Sequence, residues 1–358
     1  MSICFFDVDA NNIKRYFYDV FDESVKPSLI LLYDKHEVAS YKKKSIEDDG
    51  VSIDCIAFVS DSRIESILTQ KSIKQLVIIA HRIPDLRLVA IAKKLEIEVV
   101  YLQHGHHKVF LKRDPSFYFS KLKKSFSYLV DCFKISMECK SLMMPFRLFL
   151  VHVFGFSRSI YSKHVNLFPD KAFVFSDYAI KWHTQYYFFD APVIYKVMGT
   201  PDLKKYKMTP PYNSRAICYC YQTLIEDGTG VKAVVEEFYK KLLKWSLDND
   251  LELVVKGHPR MNIYYKKFFQ ENGVDVVFDD VPFTNMVIGH YSVLLPFWAF
   301  SGSKVAIVEL KGVTIPPFIS NWASVFSNLD ELNIRNDVQN DLTCLNYYFC
   351  DYFKPPII

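Results

Sequence analysis

Short, unbroken apolar runs alternate with helix-period segments along most of this chain, and that alternation restricts the fold more than any other feature. Ile3–Phe6, Ser28–Tyr33, Ile53–Val59, Leu76–Ala80 and Glu98–Leu102 read as strands, with helical patterns at Ile13–Phe21, Ile64–Leu68 and Leu86–Leu95 between them. Such alternation is the mark of a parallel sheet with crossover helices. Two further strands, Ala172–Phe175 and Val193–Val197, flank a helical stretch at Ala179–Tyr187. The series resumes with strands at Ala216–Tyr221, Leu251–Val255, Val274–Phe278 and Ser303–Glu309, and helices at Val231–Leu247 and Ile263–Asn272. Phe283–Val287 reads as a short helix or turn, Gly289–Ser292 as a loop, and the chain beyond Pro316 as mixed and mostly helical.

Two such series imply two α/β domains. The polar, proline-paired stretch Lys204–Ser214 reads as the linker, which gives a Rossmann-like domain over 1–207 and a second over 208–358. Two domains joined in this way place a ligand cleft between their sheets. Inside the first, 108–165 is a helical insertion with Lys interleaved among Phe, Leu and Met, broken at Pro145. It either packs on its domain or offers a basic, aromatic surface to a membrane leaflet or a lipid-linked acceptor.

Composition narrows the class. Of 358 residues, 50% are hydrophobic and 16% aromatic, so the chain has material for a sizeable core. A net charge of +4 gives no reason to expect a nucleic-acid partner. The 8 cysteines are scattered without zinc-ribbon spacing, which implies a reducing, cytoplasmic setting and no disulfide framework. MSICFFDVDANN lacks a basic n-region and a long apolar run, so no signal peptide is expected. No apolar run approaches the roughly 18 residues of a membrane span.

Four strand ends carry polar groups that suit chemistry. Gln103–His104–Gly105 follows the fifth strand, where His104 is placed as a general base. His106 and His107 have no acid at ligand spacing, so no metal is expected. Gln222, with Glu226 and Asp227 ahead of Gly228, follows the strand at 216; its acids could bind ribose hydroxyls, act as base, or form an ordinary turn. Lys256–Gly257–His258–Pro259–Arg260 puts cations and an imidazole at a strand's carboxyl end, where open α/β sheets bind anions. Gly257 would let a backbone approach closely. Gly289–His290–Tyr291–Ser292 could cradle a phosphate, or Ser292 could simply cap a helix. No Gly-x-Gly-x-x-Gly, Walker A or Gly-x-Ser-x-Gly pattern occurs, which argues against an NAD enzyme, a P-loop NTPase or an α/β-hydrolase, and no cofactor is expected.

Gln-His-Gly at 103–105, Gly199–Thr200–Pro201–Asp202, Lys-x-His-Pro-Arg at 256–260 and Gly-His-Tyr-Ser at 289–292 together resemble bacterial surface-polysaccharide glycosyltransferases of the GT-B fold. In motif order they are similar to capsule and O-antigen enzymes, sialyl- and Kdo-transferases, and teichoic-acid glycerophosphotransferases. The resemblance spans roughly residues 98–310 and implies a metal-independent transferase using a cytidine-activated sugar. His258 and Pro259 would then contact the nucleotide phosphate, with Ser292 holding the same group, and His104 would stand where those enzymes have a candidate base. Gln103, Gly105, Gly199 and Thr200 would line the acceptor side. The partners implied are a nucleotide-sugar donor and a glycan or lipid-linked glycan acceptor, at the cytoplasmic face of the inner membrane. Departures keep alternatives open. Sialyltransferases carry their acidic-acidic-Gly motif in the first domain, and glycerophosphotransferases have Ser-Asp-Tyr-Ser where this chain has Gly-His-Tyr-Ser. A CDP-glycerol enzyme, a UDP-sugar enzyme (an epimerase included) and a non-catalytic binding module are the alternatives.

Overall fold

In the computed structural model, residues 2–8, 27–33, 38–39, 55–58, 60–103, 122, 126–154, 163–188, 191–200, 212–213, 215–332 and 338–354 are described. They form two compact units. The first takes 1–106 and 113–199 and the chain again from Lys354; the second takes Thr200–Phe353. The expected helix at 13–21 and most of the linker at 204–214 lie outside the described residues.

The first unit holds a wholly parallel sheet of seven strands: β1 Ile3–Asp7, β2 Leu29–Leu32, β3 Cys55–Ala57, β4 Gln75–Ile78, β5 Glu98–Leu102, β6 Lys171–Val174 and β7 Ile194–Val197. Their order is β3-β2-β1-β4-β5-β6-β7. β1, β2 and β4 are buried along their whole length, as strands covered on both faces must be. Helices α1 (Asp61–Gln70) and α2 (Ile83–Lys94) make the crossovers. Pro84 sits in the first turn of α2, where its missing N–H costs nothing, and Asp85 closes a capping box with Arg82.

The insertion forms a helical hairpin, α3 (Leu129–Glu138) and α4 (Met144–Phe154). The break expected at Pro145 lies earlier. Lys140 takes a left-handed conformation with φ 48° and ends α3, while Pro145 is tolerated inside the first turn of α4. The run at 179–187 is α5 (Asp177–Trp182) followed by a π-turn over His183–Tyr187. That turn feeds an aromatic core of Tyr101, Phe168, Tyr187 and Phe188 around the buried His81 and His183. Both imidazoles are tied to backbone carbonyls at 2.6 Å and so are structural.

The second unit carries a six-stranded parallel sheet of order β10-β9-β8-β11-β12-β13. Its strands are β8 Ala216–Cys220, β9 Glu252–Lys256, β10 Asp275–Val277, β11 Met286–Gly289, β12 Lys304–Val308 and β13 Ser324–Phe326. Between them lie α6 (Lys232–Asp248), α7 (Ile263–Glu271), α8 (Leu295–Phe300), α9 (Pro317–Ser320) and α10 (Leu342–Phe349). α6 buries Val235, Phe238, Tyr239, Leu242 and Trp245, a one-sided stripe at helical period. Two expectations are corrected here. The stretch read as a short helix or turn contributes β11, a fully buried strand between β8 and β12. The tail read as mostly helical also contributes β13, paired to β12. In each case a run of three or four residues is too short for its own pattern to decide, and ladder hydrogen bonds from a neighbour decide it.

Both units are therefore doubly wound, Rossmann-like and parallel. Their strand order reverses between β1 and β4 in the first and between β8 and β11 in the second. Ligands of open α/β sheets bind outside the carboxyl ends of the strands at such reversals.

Candidate nucleotide site on the second unit

Three loops leave the carboxyl ends of β8, β9 and β11, and side chains lace them to one another. Gln222, buried just after β8, accepts the main-chain N–H groups of His290 and Tyr291 after β11, at 3.0 and 2.7 Å. Two converging donors leave only the oxygen for that side of the amide, so its orientation is fixed. The hydroxyls of Thr229 and Tyr291 meet at 2.9 Å and close the same pair of loops a second time.

The β8 and β9 loops are joined by charge. Arg260 grips Asp227 with both terminal nitrogens, at 2.7 and 3.2 Å, and Thr223 donates to the same carboxylate at 2.7 Å. Glu226 lies behind this pair. Its Oε1 accepts Tyr221 OH at 2.7 Å and the N–H of Asn262 at 2.9 Å. Asn262 is placed for this because it is the N-cap of α7, its side chain accepting from Tyr264 N, with its own N–H left outside the helix. The second carboxylate oxygen, Oε2, is buried and has no hydrogen-bond partner among the described residues. An ionised oxygen in that position loses solvation with no protein donor in return.

His258 lies on the same β9 loop as Arg260. Its Nδ1 accepts the N–H of Arg260 at 3.0 Å, so in the neutral ring the proton sits on Nε2. Burial first, and then the neighbouring Arg260 charge, lower its pKa below the usual imidazole value, with Asp227 and Glu226 opposing. At neutral pH it is therefore an uncharged hydrogen-bond donor.

Other expected site residues have structural work. Lys256 is buried and gives its ammonium to the carbonyl of Phe278, and burial lowers its pKa. It does not extend from the strand end as a free phosphate cation. Gly257 does permit a close approach, but by the Phe278 ring, whose edge lies 2.7 Å from where a Cβ would stand. Gly289 likewise makes room for Leu295, at 2.8 Å from its absent Cβ. His290 is fully buried, with Nδ1 2.7 Å from the Val308 carbonyl and Nε2 3.2 Å from Tyr219 OH. Ser292 accepts Leu294 N at 3.2 Å in the turn ahead of α8, whose N-cap is Leu294 and carries no side-chain cap. Pro259 is exposed in the turn between His258 and Arg260.

In the first unit Gln103 repeats the device of Gln222. It is buried after β5, and its Oε1 accepts Phe175 N after β6 at 2.8 Å. His104 and Gly105 lie outside the described residues. Gly199, two residues past β7, takes φ 80°, and the buried Thr200 donates from its hydroxyl to the Phe349 carbonyl at the end of α10. Thr200 is thus engaged with protein rather than open to an acceptor. Sequence reasoning passed over Tyr221, Thr223, Thr229 and Asn262, which fix the loops. Their signal was weak, since Thr223, Thr229 and Asn262 are common turn or cap residues and Tyr221 reads as the end of its strand.

No protein-family model matches the chain. No curated protein matches it either. Among solved structures it is similar to the UDP-GlcNAc 2-epimerase of Methanocaldococcus jannaschii in complex with UDP-GlcNAc and UDP, at 10% identity over 90% of this chain and 87% of that one, with a TM-score of 0.43. It is also similar to the UDP-GlcNAc 2-epimerase of Neisseria meningitidis bound to UDP-GlcNAc, at 10% identity over 86% of this chain and 82% of that one, with a TM-score of 0.46. Likeness at this level assigns neither substrate nor reaction.

Proposed function

We propose that the chain is a nucleotide-sugar-dependent enzyme that holds its nucleotide on the second unit, at the reversal between β8 and β11. The observation that carries this reading is the lacing of three strand-end loops around Glu226, His258 and Arg260 at that reversal. Glu226 joins the β8 loop to the start of α7 through its Oε1, which accepts from Tyr221 and Asn262. The Nε2 proton of neutral His258 and the Arg260 guanidinium suit phosphate oxygens, where a charge-assisted contact stabilises binding by ~1.5–3 kcal/mol. In sugar transfer, His258 would also assist departure of the phosphate. His104 remains our candidate for the base that deprotonates an acceptor. Glu226 is the runner-up, ahead of Asp227, whose oxygens are occupied by Arg260 and Thr223.

Two finer readings divide on the base of the nucleotide. A CMP-activated donor for capsule or lipopolysaccharide synthesis rests on the motif resemblance. A UDP-sugar enzyme, either a transferase or an epimerase, agrees with the UDP-GlcNAc bound by the solved neighbours.

Binding of CMP, CDP, UDP and GDP to the wild type and to His258→Ala is the test. We expect a pyrimidine nucleotide to bind and His258→Ala to lose roughly 10–100-fold in affinity with its fold intact. No nucleotide binding, or unchanged affinity in His258→Ala, refutes the site. Conversion of a UDP-sugar without any acceptor would then identify an epimerase. If transfer is found instead, a loss of roughly 10²–10⁴-fold in turnover belongs to His104→Ala, and a collapse in Glu226→Gln in its place moves the base to Glu226.

A further inference from the structure

The hairpin of α3 and α4 is apolar on two opposite sides. Its inner side, with Tyr128, Cys132, Ile135, Met144 and Leu148, is buried in the first unit's core. Its outer side repeats Phe126, Val130, Phe133 and Met137 at spacings of three and four residues, which is a helical stripe, and all of them are exposed. A helix covered on one side normally turns a polar face to water. The exposed apolar surface continues through the turn and into α4 with Leu142, Met143 and Phe146; Met137 is 69% and Leu142 96% exposed. A contiguous surface of this kind marks a docking site rather than scattered surface hydrophobes.

Charge identifies the occupant. Residues 113–163 contain nine Lys and Arg against three Asp and Glu, whereas the whole chain contains 44 against 40. The basic excess is therefore concentrated in the segment that carries the apolar face, and the remainder is slightly acidic. Apolar side chains flanked by cations gain from acyl-chain burial and from anionic headgroups together. Two copies of the same basic segment would repel, which disfavours self-association through this face. Among the described residues no helix is long and apolar enough to cross a membrane, so the contact would lie in the interface plane.

We infer that the outer face of this hairpin docks on an anionic lipid bilayer, with Phe133, Met137 and Leu142 entering the headgroup boundary. The inference is independent of which nucleotide the second unit binds.

The experiment is co-sedimentation of the full chain with phosphatidylcholine vesicles, with and without phosphatidylglycerol, at low and high salt. Size-exclusion chromatography of the same samples accompanies it. The wild type should bind the anionic vesicles at least about tenfold more tightly than the neutral ones, and added salt should weaken binding. Phe133→Glu combined with Met137→Glu should lose at least about tenfold in vesicle affinity at an unchanged melting temperature, because both side chains are exposed. Failure of the wild type to sediment with anionic vesicles at low salt would overturn the inference. Equal binding by the double variant would overturn it as well. So would a wild-type dimer that the same substitutions dissociate, since the face would then be a contact between copies.

Discussion

Replacing Gln222 with Leu isolates the contact that joins the β8 and β11 loops of the proposed nucleotide site. Leucine fills a similar volume but accepts nothing, so the N–H groups of His290 and Tyr291, now bonded at 3.0 and 2.7 Å, lose their acceptor. Both residues are buried, which limits rescue by water. An orphaned buried donor costs about 1–3 kcal/mol, so the pair predicts a loss of ~2–6 kcal/mol if the loop keeps its place. If the loop opens to hydrate them, the Tyr291–Thr229 contact and the packing of His290 go with it, at a similar cost. Against a domain stability of ~5–15 kcal/mol this is a large fraction. Urea unfolding followed by tryptophan fluorescence reads it selectively, because Trp245, Trp298 and Trp322 lie in the second unit and only Trp182 in the first. Gln222→Glu keeps an acceptor for both donors and should recover at least about half of the loss. A Gln222→Leu transition within ~0.5 kcal/mol of wild type would refute the argument, because the two hydrogen bonds would then hold nothing together.

Acidification tests the buried imidazole after β11. Burial pushes His290 down to about 4, opposed only in part by the Val308 carbonyl, whereas an unfolded histidine titrates near ~6.5. Below that value the unfolded chain binds the proton first, so the contribution of His290 is complete above about pH 6.5 and is lost as pH falls towards 4. It amounts to about 3 kcal/mol, read as the difference in melting profile between wild type and His290→Asn; parallel profiles from neutral to acid pH would refute it. Gly257→Ala should destabilise the second unit by ~1–3 kcal/mol by driving a methyl into the Phe278 ring, and Gly257→Ala with Phe278→Leu should recover most of it in thermal melts. A neutral Gly257→Ala would show that the ring gives way freely.

The class of fold, and the strand ends at which loops carry polar groups, are legible in the apolar pattern of the chain. Apolar runs such as Ala216–Cys220 and Val99–Leu102 read as buried strands, and α6 wrote its one-sided stripe plainly at helical period. The positions of Gln222, Glu226, Asp227, His258 and Arg260 after those strands followed from the same pattern. What each side chain does was decided by tertiary structure. Met286–Gly289 is a strand because β8 and β12 bond it from both sides, and four apolar residues do not specify that alone. Lys256 and Arg260 are both cations beside His258 in sequence, yet one ends inside the sheet on the Phe278 carbonyl and the other reaches out to Asp227. Gln222 reads like a ligand-binding amide and instead joins two loops whose residues lie nearly seventy positions apart. A hydrogen-bonding side chain takes whichever partner folding brings within about 3 Å, and that partner is set by strand order and register, which no local pattern records.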